Sequence, residues 1–121
     1  LYFFGTAPTS QNLTGVASSV VLSSDSNSGA GTITIAFSGT GVWSCDIIFF
    51  KPYAGTSIRV YFSSANVEAA SYPLQFNDIF QYPSIGYYYP TFLPGNTGFT
   101  ILGSTPDANT IMLDYFVIST I

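Results

Sequence analysis

The chain has 121 residues, of which 47% are hydrophobic, 17% aromatic and only 7% charged. This length makes one domain that buries roughly two-thirds of its unfolded surface. Two cations, Lys51 and Arg59, against six anions leave a net charge of −4, too few positive groups to neutralise a row of phosphates or to hold an anionic membrane surface.

An average globular protein carries about 25% charged residues, so Ser, Thr, Asn, Gly and Tyr must cover most of this exterior. Such a surface suits permanent contact with neighbouring copies, a coat of glycan, or a neutral Ser/Thr-rich extracellular domain. No apolar run approaches the ~20 residues that span a bilayer, and no membrane insertion is expected. No signal peptide heads the sequence, so a secreted form is expected to be the mature one. Cys45 is the single cysteine and is expected as a buried small hydrophobe beside Trp43.

In chain order, Leu1, Tyr2, Phe3 and Phe4 open with four apolar residues, and residues 5–10 (GTAPTS) break the pattern. An apolar terminus has to be tied down. Three readings fit: it pairs with its own sheet, it inserts as an added strand into another copy, or it is the remnant of a protease-cleavage tag. The domain organisation expected is an arm and linker over residues 1–10 and a β-sandwich over residues 11–121.

Asn12-Leu13-Thr14 is an N-glycosylation sequon, which makes Asn12 a candidate acceptor. Residues 18–23 (SSVVLS) read as a short strand and residues 24–31 as a loop. That loop's D-x-N-x-G order matches the start of a calcium loop, but the later ligands and the terminal Glu are missing; no metal is expected. Residues 32–37 (TITIAF) alternate strictly and predict a strand. A long strand is predicted over residues 42–50 (VWSCDIIFF), with Asp46 facing solvent or a neighbour. Pro52 ends it, because proline cannot continue a central strand. Residues 57–63 (SIRVYFS) predict a strand with Ile58, Val60 and Phe62 on one face and Arg59 and Tyr61 on the other.

Residues 66–82 show no sustained period and read as an excursion between strands. Tyr82, Tyr87, Tyr88 and Tyr89 follow, interleaved with Pro83 and Pro90. This stretch fits three roles: packing under a long loop, a contact patch, or a platform that stacks on sugars. The C-terminal stretch is the clearest. Phe99, Ile101 and Gly103 alternate with Thr100 and Leu102, and Ile111, Leu113, Tyr115 and Val117 alternate with Met112, Asp114, Phe116 and Ile118. Between them Pro106, Asp107 and Asn109 make a turn. The last strand is apolar on both sides except at Asp114, which predicts a central strand covered on both faces. About seven antiparallel strands in an all-β, Ig-like or jelly-roll sandwich are expected.

Catalytic groups are scarce. With no histidine there is no Ser-His-Asp or Cys-His pair, and an apolar strand raises the pKa of the Cys45 thiol instead of activating it. Glu68 with Asp46 or Asp78 are the carboxylates left for a glycosidase pair, and no spacing brings them together. Neither enzymatic activity nor a cofactor is expected.

The order GTITI (residues 31–35), IIFFKPY (47–53), SSAN (63–66), GFTI (98–101) and DYFVI (114–118) resembles a small all-β domain. Such domains occur in bacterial secreted or surface proteins and in phage tail-fibre and other virion proteins. The resemblance spans roughly residues 18–118, with residues 74–93 standing as an insertion. It implies a scaffold role and offers no catalytic residues to carry over. The arm Leu1 to Phe4 is similar in kind to the donor strands of pilus and archaeal thread subunits. The expected function is a structural subunit of an extracellular filament or virion appendage, assembled by strand addition of that arm, with other copies of itself as partners. The alternative is a carbohydrate- or receptor-binding module with Tyr82, Tyr87, Tyr88 and Tyr89 as its surface.

Overall fold

The computed structural model describes residues 6–53, 57–66 and 87–120. These form eight strands: β1 (Thr9–Gly15), β2 (Ala17–Leu22), β3 (Ala30–Phe37), β4 (Gly41–Ile48), β5 (Ser57–Ser64), β6 (Tyr87–Phe92), β7 (Gly98–Thr105) and β8 (Ile111–Thr120). A short 3-10 turn, Pro94–Asn96, links β6 to β7. The strands make two four-stranded antiparallel sheets, ordered β1-β4-β7-β6 and β2-β3-β8-β5. Packed face to face they form a β-sandwich, as the alternation predicted.

Period-two burial fixes which residues fill the space between the sheets. Ile33, Ile35 and Phe37 of β3 and Ile111, Leu113, Tyr115 and Val117 of β8 line one side of this space, and Trp43, Cys45 and Ile47 of β4 with Phe99 and Ile101 of β7 line the other. Phe99 sits at the centre of an aromatic cluster. Its ring centroid lies 5.9 Å from Phe49, 6.0 Å from Phe62 and 6.0 Å from Tyr115. Close packing at the inner face explains Gly103: a Cβ there would lie 2.7 Å from the Trp43 ring and collide with the Tyr87 carbonyl.

Two strands exceed what the alternation indicates. β1 is polar and exposed at nearly every position, so it carries no apolar period. It begins at Thr9, within the stretch expected as linker. Only Val16 separates β1 from β2, and there the chain reverses and changes sheets, bringing the Ser10 hydroxyl back to the Val20 carbonyl at 3.0 Å. Gly15 makes that corner with φ of 63°, where a Cβ would strike the Val42 carbonyl. β6 crosses Pro90, which an edge strand tolerates because one side of its backbone makes no ladder bonds.

The expectation for β8 is corrected in one respect. It is central, flanked by β3 and β5, but its inner face is buried and its outer face is not. Asp114, Phe116 and Ile118 on the outer face are exposed. The outward Asp114 carboxylate accepts a hydrogen bond from the Thr32 hydroxyl across the strand pair at 2.7 Å.

The β2–β3 loop is held by its own side chains. Asn27 Oδ1 accepts from the backbone N–H groups of Gly29 and Ala30. The Tyr115 hydroxyl donates to the Asn27 carbonyl, and the Tyr53 hydroxyl to the Ser28 carbonyl at 2.7 Å. Buried Ser26 shares a hydrogen bond with the Ser23 hydroxyl at 2.7 Å and accepts another from the Thr32 N–H. This loop belongs to the end of the sandwich where β1 begins and β8 finishes. Residues 66 and 87 lie at the other end, beside the β7–β8 turn, where Asn66 Nδ2 donates to the Thr110 carbonyl.

Candidate functional site

Side chains on the outer face of the first sheet come from alternate positions of four strands. Tyr87 stands opposite Ser104, Tyr89 opposite Leu102, and Thr91 opposite Thr100. Leu102 in turn faces Ser44, and Thr100 faces Asp46. Tyr87 and Tyr89, two apart on one strand, stack with ring centroids 6.3 Å apart and planes 19° apart. Tyr87 is 7% exposed and Tyr89 half-buried. Burial, reinforced by Tyr89, pushes the Tyr87 phenol above its ordinary pKa.

On the same face, across β7 from the stack, a polar network centred on Asp46 ties three strands together. Asp46 Oδ1 accepts from the Thr100 hydroxyl at 2.6 Å, and Oδ2 from Asn12 Nδ2 at 2.8 Å. The Thr14 and Ser44 hydroxyls share a hydrogen bond one row along. Asn12 reaches Asp46 from a bulge: the β1–β4 register shifts between Gln11 and Thr14, and Asn12 has φ of 53°. The sequon asparagine is therefore exposed on an edge strand, with its amide nitrogen bonded to a carboxylate.

The tyrosine segment divides by strand parity. Tyr88, grouped with its neighbours in the sequence reading, does not join their surface. It points into the core at 4% exposure, edge-on to Phe62 at 5.9 Å. Tyr82 and the arm residues Leu1, Tyr2, Phe3 and Phe4 lie outside the described residues, as do Glu68 and Asp78. The Asp46–Asn12–Thr100 network is absent from the sequence reading, because its members are 34 and 54 positions apart.

A second feature is apolar. Phe50 is 73% exposed, Val42 67%, Val21 60% and Phe92 52%, with Tyr61 and Ile118 also well exposed. They occupy both outer faces and one end of the sandwich. Among the described residues no three His, Cys, Asp or Glu side chains converge to hold a metal ion, and no helix is long and apolar enough to cross a membrane. Cys45 is fully buried in β4, and burial together with the adjacent Asp46 charge pushes its thiol up to about 12.

No protein-family model matches the chain, and no significant match appears among curated proteins or solved structures. The β-sandwich thus rests on the strand pairing itself.

Proposed function

We propose that this chain is a structural subunit of an extracellular filament or virion appendage, joined to its neighbours by strand addition of Leu1 to Phe4. The observation that carries this reading is the exposed apolar set Phe50, Val42, Val21 and Phe92 on a surface with 7% charged residues. Singly exposed apolar side chains are ordinary on a monomer, but here they stand on a surface with few charges, and a neighbouring copy would cover both. The added strand would contribute main-chain hydrogen bonds, with alternate side chains setting register. A head-to-tail contact of this kind extends into a fibre where its rotation does not close. Negative-stain electron microscopy of the full chain and of a chain lacking residues 1–6 tests it. Filaments from the full chain alone are expected; filaments from both would refute the arm's role.

A second reading is supported by the stacked Tyr87 and Tyr89 on the same outer sheet face as Thr100, Asp46 and Asn12 of the next three strands. Aromatic rings next to a carboxylate and hydroxyls are the groups that hold sugars, the rings against apolar C–H faces and the polar groups against hydroxyls. Discrete particles from both chains, with glycan-array binding lost on Tyr89→Ala, would favour this reading over the first.

A further inference from the structure

A strand at the edge of a sheet presents a row of unpaired N–H and C=O groups, and proteins usually blunt such edges. The described sandwich has four edges: β1 and β6 in one sheet, β2 and β5 in the other. Three carry interruptions. β1 has its bulge between Gln11 and Thr14. β2 is six residues long and shifts register between Ala17 and Ser19. β6 has Pro90 in its middle.

β5 has none of these. All of its residues pair with β8 in one unbroken register, from Ser57 opposite Thr120 to Ser64 opposite Leu113. It contains no proline, and Arg59 is its single charge. Its inner face, Ile58, Val60 and Phe62, belongs to or packs on the core, and its outer face shows exposed Arg59 and Tyr61.

We propose that β5 is a self-recognition edge, which pairs antiparallel with β5 of a second copy about a two-fold axis at Val60. The strand's own sequence selects this occupant and this register. A two-fold perpendicular to the sheet keeps inner residues beside inner ones, so the axis must pass through a residue and not between two. An axis at Arg59 sets two guanidinium groups opposite each other, which is destabilising. An axis at Tyr61 sets Arg59 opposite Ser63 and Ile58 opposite Ser64. The axis at Val60 gives complementary pairs throughout. Each Arg59 lies opposite a Tyr61 ring, a cation over an aromatic face, and each Ile58 lies opposite a Phe62. Phe62 touches Tyr88 of β6, so exposed Phe92 of that strand lies on the same flank.

This contact is isologous and closes as a dimer, so it stands apart from the arm. A short strand-edge interface belongs to the weak class. Sedimentation equilibrium of the chain lacking residues 1–6, which has no arm to form filaments, should show a reversible dimer up to roughly millimolar protein. Hydrogen exchange should show the amides of Ile58, Val60 and Phe62, the ones that face away from β8, gaining protection as concentration rises. Tyr61→Lys places a lysine opposite Arg59 of the second copy and should abolish the dimer. Adding Arg59→Glu lets the substituted lysine face the substituted glutamate and should restore it. Monomer at every concentration, protection gained elsewhere, or a dimer indifferent to Tyr61→Lys would each overturn the proposal. So would failure of the double variant to restore a dimer while its circular dichroism stays native. Removing residues 1–6 should leave this dimer intact while filaments disappear, so the two proposals fail separately.

Discussion

Cys45 and Tyr115 show how burial turns reactive groups into packing. The Cys45 thiol is enclosed between the sheets, and ionising it there forfeits hydration, which moves its pKa from 9.0 to about 12. Because the folded value is raised, its contribution to stability is complete below pH 9. That contribution is lost progressively as pH climbs from 9 toward 12. Urea midpoints should therefore hold steady up to pH 9 and decline above it, less steeply in Cys45→Ala. Ellman's reagent should label Cys45 only after denaturant is added, and rapid labelling of the native chain would contradict this burial. Tyr115 is also raised, mainly by burial, and its hydroxyl donates to the Asn27 carbonyl inside the β2–β3 loop. Tyr115→Phe leaves that buried carbonyl short of a partner, so a loss of about 1–3 kcal/mol is expected in chemical denaturation.

For the strands, legibility follows burial. β3, β5, β7 and β8 were readable because Ile33/Ile35, Ile58/Val60, Phe99/Ile101 and Leu113/Tyr115 alternate with outward residues. β1 was not, since TSQNLTG has no buried face to imprint a period; its place depends on Gly15, the Asn12 bulge and pairing with β4. β6 was hidden by Pro90, and with it the parity that sends Tyr88 inward and Tyr87 and Tyr89 outward. The outward apolar residues of β8 misled in the opposite sense: Ile118 looks like core in the sequence and is surface in the fold. The polar half of the candidate site was illegible because Asp46 acquires Asn12 and Thr100 only through sheet register. Asp46→Ala removes both bonds from β1 and β7. Exchange of the Gln11 to Thr14 amides should quicken markedly, with about 1–2 kcal/mol lost overall for a half-exposed group. Unchanged exchange at those amides would mean that the network does not pin the edge.

Taken whole, the sandwich is polarised. β1 starts and β8 finishes at the end that carries the β2–β3 loop, while residues 66 and 87 mark the opposite end. Tension drawn through both of those strand ends would act unequally. β1 is an outer strand with one neighbour, oriented so that a pull would peel its ladder to β4 bond by bond; β8 is paired with β5 to Thr120 and with β3 as well from Leu113 to Phe116. The Asn12–Asp46 tie lies within that peeling path. A fibre that transmitted load through these two ends would yield at β1 long before its core was disturbed. One that entered load along the face of a sheet would strain many bonds at once and hold.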